Sequence, residues 1–227
     1  GDVSVDDFKA RGYLPEGLIN YLALVGWSPE DNEEIMSMDE MVEKFSFDRV
    51  AKTGGIFDKD KLDWVNGHYI RSSSVERISK LAIPYLVEAG YIDEKFAQEN
   101  TSWIETLVDT VKESVSYISE IPEKVKFIFD EDVEMEEDAQ ELLGGEQIPQ
   151  LFNAIVGELK TIEEIDMDYA KSFMKTIQKS TGIKGKNLYM PTRAAITGSV
   201  HGPEMVNIIY LLGKDKIIKR VEKLLNK

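Results

Sequence analysis

The residues with the clearest chemical texture are "GKNLYMPTRAAITGSVHGPEM", Gly185 to Met205. The chain holds 42 Asp and Glu against 27 Lys and Arg, yet this stretch has no acid before Glu204. Lys186 and Arg193 supply positive charge, and Gly185, Gly198, Gly202, Pro191 and Pro203 punctuate it. Little side-chain bulk permits close approach, and carboxylates would repel an anionic chain. Proline suits the first turn of a helix, so helices are expected to start at Pro191 and Pro203, with free amides facing outward as an anion site. Arg193 in a first turn would oppose the helix dipole, so its placement implies another demand: a phosphate, a base edge or an internal carboxylate. The same glycines also suit a tight helix–helix junction that binds nothing. Both readings stand on chemistry alone.

Other motifs fail on spacing. "TGIKGK" lacks the full phosphate-loop pattern with its following Ser or Thr. "GSVHG" lacks the Gly-x-Ser-x-Gly order of a nucleophile elbow. His68 and His201 lie far apart with no acidic pair at ligand spacing, so packing or surface roles are expected for both. With 42 acids, no pair stands out as a general acid and base. "IMSMDEM" reads as core filler. No catalytic residue and no metal set is expected.

The net charge of −15 argues against nucleic acid until its distribution is drawn. From Ala170 to Lys227 there are 12 Lys and Arg against Glu204, Asp215 and Glu222, a balance of +9, which leaves −24 on the preceding residues. Two readings follow: a polyanion-facing end on a repulsive body, or basic helices that pair with internal acids. No window approaches 18 apolar residues, so no membrane span is expected, and zero cysteines fit a reducing compartment. The chain begins with Gly1 and shows no basic-then-apolar leader, which suggests a cut or processed piece.

Helical signals dominate, and the fold expected is all-α with two helical domains. Ser37-Met-Asp-Glu40 is a capping box, Asp58 can cap "KDKLDWVNGHYI", and Ser73-Ser-Val-Glu76 reads as a second capping box. Leu62, Val65 and Tyr69 share one face, and Trp64 and Tyr69 are expected in the core. Pro84 predicts a kink or break. Ile104, Leu107, Val108, Val111, Val115 and Ile118 form one long apolar stripe, and a domain boundary is placed near Gln98, giving residues 1–97 and 98–227. The eight acids from Asp130 to Glu141 read as a solvated face or loop.

Three blocks resemble bacterial glutamyl-tRNA synthetase, the class I glutamate–tRNA ligase: "GDVSVDDFKARGYLPEGLINYLALVGWSP", "FDRVAKTGGIFDKDKLDWVNGHYIR", and the opening stretch continued into "VNIIYLLGKDKIIKRVEKLL". In that family the first block follows the KMSKR-type ATP-binding loop. Neither that loop nor a HIGH-like motif occurs here, so the resemblance implies a C-terminal half without the catalytic domain. It implies a stem-contact helical domain over 1–97 and a bacterial-type helical anticodon-binding domain over 98–227. The expected partner is tRNA(Glu), with no DNA, no membrane, a monomeric state and a cytoplasmic setting. No cofactor is expected in these residues, and ATP with Mg is expected in the full-length enzyme.

The resemblance also implies site residues. Anticodon contacts are expected at Arg193, Thr197, His201, Gly202, Pro203 and Met205, with Lys184 and Lys186 on phosphates; stem contacts are expected at Lys52, Lys61, Asn66 and Arg71. The family often has a Lys-Glu-Arg-Ala pattern in the first long anticodon-domain helix, where this chain has "VKESVSYI". Ser114 stands where that Arg aligns, which puts exclusion of tRNA(Gln) in doubt. The competing expectation is an acidic all-helical protein-interaction module with no RNA role.

Overall fold

The computed structural model describes residues 4–52 and 54–226. Among them the named elements are helical, with one isolated β-bridge between Trp27 and Val50. The chain divides into two compact units, Gly1–Lys124 and Val125–Lys227.

The first unit contains α1 (Val5–Ala10), α2 (Pro15–Gly26), α3 (Met38–Lys44), α4 (Lys59–Ser72), α5 (Val75–Glu88), α6 (Glu94–Glu99) and α7 (Thr101–Asp109). Ser37 and Asp58 cap α3 and α4 as expected, Ser37 in a reciprocal box with Glu40. The cap of α5 is Ser74, whose Oγ accepts from the Arg77 amide, while Ser73 closes α4; the expected box is one residue out of register. Helix α5 runs through Pro84 without a break. The carbonyl that proline strands belongs to Lys80, an exposed residue, so water can replace the missing donor.

Two buried asparagines brace this unit. Asn20 accepts from the Met36 amide and donates to Glu34 O, and Asn66 accepts from the Leu14 amide and donates to Ser116 O. The bond to Ser116 helps explain why the long apolar stripe is not one helix. After α7 the chain makes a 3-10 turn at Lys112–Ser114, runs extended through Val115, and turns again at Ile118–Glu120. Lys112 Nζ donates to Arg71 O, and the amides of Ile118 and Ser119 donate to Gly12 O and Arg11 O. These tethers tie residues 112–119 to the first 72 residues, and the compact-unit edge lies at Lys124–Val125.

That edge falls within α8 (Ile121–Phe129). The second unit continues with α9 (Glu137–Leu142), α10 (Ile148–Leu159), α11 (Met167–Thr181), α12 (Lys186–Thr197) and α13 (Met205–Leu225), the last interrupted at Gly213. Helix α13 packs against α10, α11 and α12. Arg220, 3% exposed, donates to Phe127 O and Asp130 O at the end of α8 and to Ile196 O in α12. Lys216 Nζ donates to Ile128 O and Phe129 O. Burial pushes the Arg220 guanidinium down to about 10 and lowers Lys216 as well.

Arg220→Met should destabilise the second unit by on the order of 3 kcal/mol, because three carbonyls lose a charged donor in a buried place. Urea unfolding followed by far-ultraviolet circular dichroism measures it; a loss below about 1 kcal/mol would show the carbonyls satisfied by other means.

Candidate nucleic-acid interface

The acid-free stretch folds differently from the two proline-initiated helices expected. Helix α12 begins at Lys186, with Pro191 inside it, and α13 begins at Met205, with Glu204 as its N-cap. The carbonyl stranded by Pro191 belongs to exposed Asn187, the same accommodation as at Pro84. Arg193 therefore lies within α12, outside its first turn. Its Nη1 donates to Pro203 O at 2.6 Å, a partner absent from the three demands considered, and burial lowers its pKa.

Arg193 thereby pins the loop between α12 and α13. Thr197 Oγ1 donates to Arg193 O and Ser199 O, and the His201 amide donates to Ser199 Oγ. Gly198 ends α12 at φ 81°, and a Cβ there would stand 2.0 Å from Glu134 O. This close approach is where the acidic run meets the acid-free stretch: the Glu136 amide donates to Gly198 O, and Ser199 Oγ donates to Glu136 Oε2. Both sequence readings of the glycines thus bear on one loop, which is a tight junction on its inner side and an exposed surface at His201 and Gly202. Met205 is buried and packs in the core.

The other two anticodon candidates stand elsewhere. Lys184 and Lys186 are exposed at the opposite end of α12, about 16 Å along its axis from Thr197 by helical rise. They do not stand alone. Lys175 and Lys179, one turn apart on α11, are also exposed, and none of the four makes an ion pair among the described residues. Tyr189 is exposed one turn beyond Lys186, and Lys186, Tyr189 and Arg193 share the spacing of one helix face. Lys175, Lys179 and Tyr189 were missed as candidates. The usable signal was the absence of any acid from Tyr169 to Pro203, wider than the stretch first singled out.

Among the described residues, the remaining basic residues of the tail are engaged. Lys219 pairs with Glu131, Lys223 with Asp132 at 2.7 Å, Lys171 with Asp168 at 3.2 Å, and Lys214 Nζ donates to Ile162 O. The acidic run is thus partly a counter-charge for α13. Chemically, what remains is four exposed lysines able to meet phosphates and an exposed aromatic able to stack on a base.

In the first unit the stem candidates also divide. Lys52 is exposed, Arg71 half-buried, and Lys61 pairs with Glu34 at 2.6 Å. Asn66 is fully buried between Leu14 and Ser116, so its amide serves the fold and offers no surface to a ligand. Trp64, expected in the core, is 48% exposed. Ser114 is exposed in a 3-10 turn of the first unit, its Oγ donating to Val111 O, and no long helix carries it. Among the described residues, no three His, Cys, Asp or Glu side chains are grouped to hold a metal, and no helix is long and apolar enough to cross a membrane.

Comparison with known proteins places this geometry. The family model for the anticodon binding domain matches residues 77–225, and that for the catalytic domain of class I tRNA synthetases (E and Q) matches residues 2–64. The glutamate–tRNA ligase of Finegoldia magna is 49% identical over 226 residues, covering 100% of this chain and 45% of that enzyme. That of Alkaliphilus metalliredigens is 46% identical over 223 residues, covering 98% and 45%. A crystal structure of a glutamate tRNA ligase from Elizabethkingia meningosepticum superposes with a TM-score of 0.80 at 26% identity, covering 97% of this chain and 42% of that one. The chain spans a little under half the length of these relatives.

Proposed function

Because this chain belongs to the glutamate–tRNA ligase family and carries its anticodon-binding domain, we propose that it binds tRNA(Glu) and reads the stem and anticodon. In this proposal residues 1–97 carry the stem contacts and residues 98–227 the anticodon contacts. The role is positioning: it orients the acceptor end so that a full-length enzyme can attach glutamate with ATP and Mg. Class I chemistry uses ATP as a substrate, and the residues described here act on the tRNA. A cytoplasmic, monomeric protein fits this role.

The observation that carries the proposal is the match of the anticodon-binding family over residues 77–225, within which Lys175, Lys179, Lys184 and Lys186 stand exposed and unpaired. Arg193 acts on the tRNA through the loop it holds at Pro203, which presents His201 and Gly202. Lys52, Lys61 and Arg71 are the stem contacts proposed in the first unit. Ser114 leaves tRNA(Gln) as a second substrate of the full-length enzyme, since no arginine stands there to exclude it.

Binding of tRNA(Glu) to the 227-residue chain should weaken with salt and weaken further when the anticodon bases are replaced. Salt-dependent binding indifferent to the anticodon would contradict anticodon reading, and no binding at low salt would favour the acidic protein-interaction module. Charging assays with both tRNAs on the full-length enzyme should give comparable glutamylation; a strong preference for tRNA(Glu) would overturn the role given to Ser114.

A further inference from the structure

Helix α3 carries one apolar stripe, Met38, Met41, Val42 and, at its C-cap, Phe45, and only part of it is covered within its unit. Met41 packs inward beside the cluster of Trp27 and Met36. Met38 and Val42, one turn apart, are exposed, Val42 to 71%, and Phe45 at the C-cap is 47% exposed with its ring 5.8 Å from that of Trp27. The stripe continues off the helix. The Phe45 ring lies 5.2 Å from that of Phe47, which is 84% exposed, and Val50, exposed as well, donates its amide to Phe47 O across one turn. An exposed run of large apolar side chains marks an interaction surface.

The surroundings restrict what can cover it. Asp39, Glu43 and Asp48 are exposed along the stripe. Of the cations nearby in sequence, Lys44 is engaged with Asp31 and Glu33 and Arg49 with the carbonyls of Ser28 and Pro29, while Lys52 stands exposed beyond the end of the stripe. RNA would meet carboxylates there, and a second copy of the chain would set two acidic rims against each other. A different protein surface, apolar with a basic rim, meets neither obstacle.

The stripe lies wholly inside residues 2–64, the segment that matches a class I catalytic-domain family, and the Finegoldia magna relative is more than twice as long as the region it shares with this chain. We propose that Met38, Val42, Phe45, Phe47 and Val50 form the docking face for the rest of a class I catalytic domain. The stripe couples the catalytic body to the unit that carries the stem-contact candidates, and it does so through apolar contact without any RNA. The inference therefore stands apart from the proposed tRNA reading.

The test is hydroxyl-radical footprinting without tRNA. It compares the 227-residue chain alone with a chimera in which this chain replaces the corresponding 45% of the Finegoldia magna enzyme. Oxidation of Met38, Phe45 and Phe47 should be at least about fivefold slower in the chimera, while Tyr189, exposed in the second unit, reacts alike in both. Val42→Asp with Phe47→Asp should lower the melting temperature of the chimera and leave that of the 227-residue chain unchanged. Should the chimera not fold, aspartates at the aligned positions of the native Finegoldia magna enzyme provide the same reading, and an unchanged melting temperature there overturns the proposal. Equal oxidation in chain and chimera overturns it as well. Protection that grows with concentration of the isolated chain would assign the face to a second copy, and protection appearing only with added tRNA would assign it to RNA; either result overturns the proposal.

Discussion

Four carbonyls at the C-terminal end of α8, those of Phe127, Ile128, Phe129 and Asp130, have no partner within their own helix and must find one. Lys216 and Arg220 of α13 supply all four, and Arg220 reaches Ile196 O of α12 with its remaining fork. Cations at a helix C-terminus also complement its dipole, and a guanidinium has the number and spread of donors that the position needs. The second unit is organised around this bracket. It fixes α13 against α8 and holds the last turn of α12, from which the loop carrying Ser199, His201 and Gly202 departs. The Arg193 bond to Pro203 O then sets the far side of that loop.

The basic tail is therefore two populations of charge with different work. Lys214, Lys216, Arg220, Lys219 and Lys223 satisfy carbonyls or pair with acids, several of them in the run that follows α8. Exposed pairs of the latter kind contribute little stability each, yet they remove positive charge from the field a polyanion would meet. Lys175, Lys179, Lys184 and Lys186 stay free on α11, α12 and the turn between them. Of the two explanations for a +9 segment in an acidic chain, internal pairing accounts for its C-terminal end and an outward-facing surface for its beginning.

Much of the fold was legible because caps and periodicity act locally. Ser37 and Asp58 start their helices as their side-chain chemistry requires. The all-helical class followed from the pattern, and family resemblance identified the ligase relatives. The misjudged features share one property: each depends on its surroundings in the folded chain, which local pattern does not carry. Val111, Val115 and Ile118 are buried as the stripe implied, but Asn66, Gly12 and Arg11 hold that segment out of a helix. Pro84 and Pro191 sit inside helices because the carbonyls they strand belong to exposed residues, which propensity does not encode. Arg193 gave no sign of a carbonyl partner ten residues on, and Asn66 was indistinguishable in sequence from a surface amide.

The division of charge is the central claim, and the salt dependence of tRNA(Glu) binding measures it most directly. The comparison is between Lys175, Lys179, Lys184 and Lys186 all changed to Ala and Lys219 with Lys223 changed to Ala. The fourfold variant should bind more weakly, with the slope of log affinity against log salt flattened by about three; the double variant should keep the wild-type slope. An unchanged slope in the fourfold variant, or an equal flattening in the double one, would contradict the assignment of the free lysines to the RNA and of α13 to the fold.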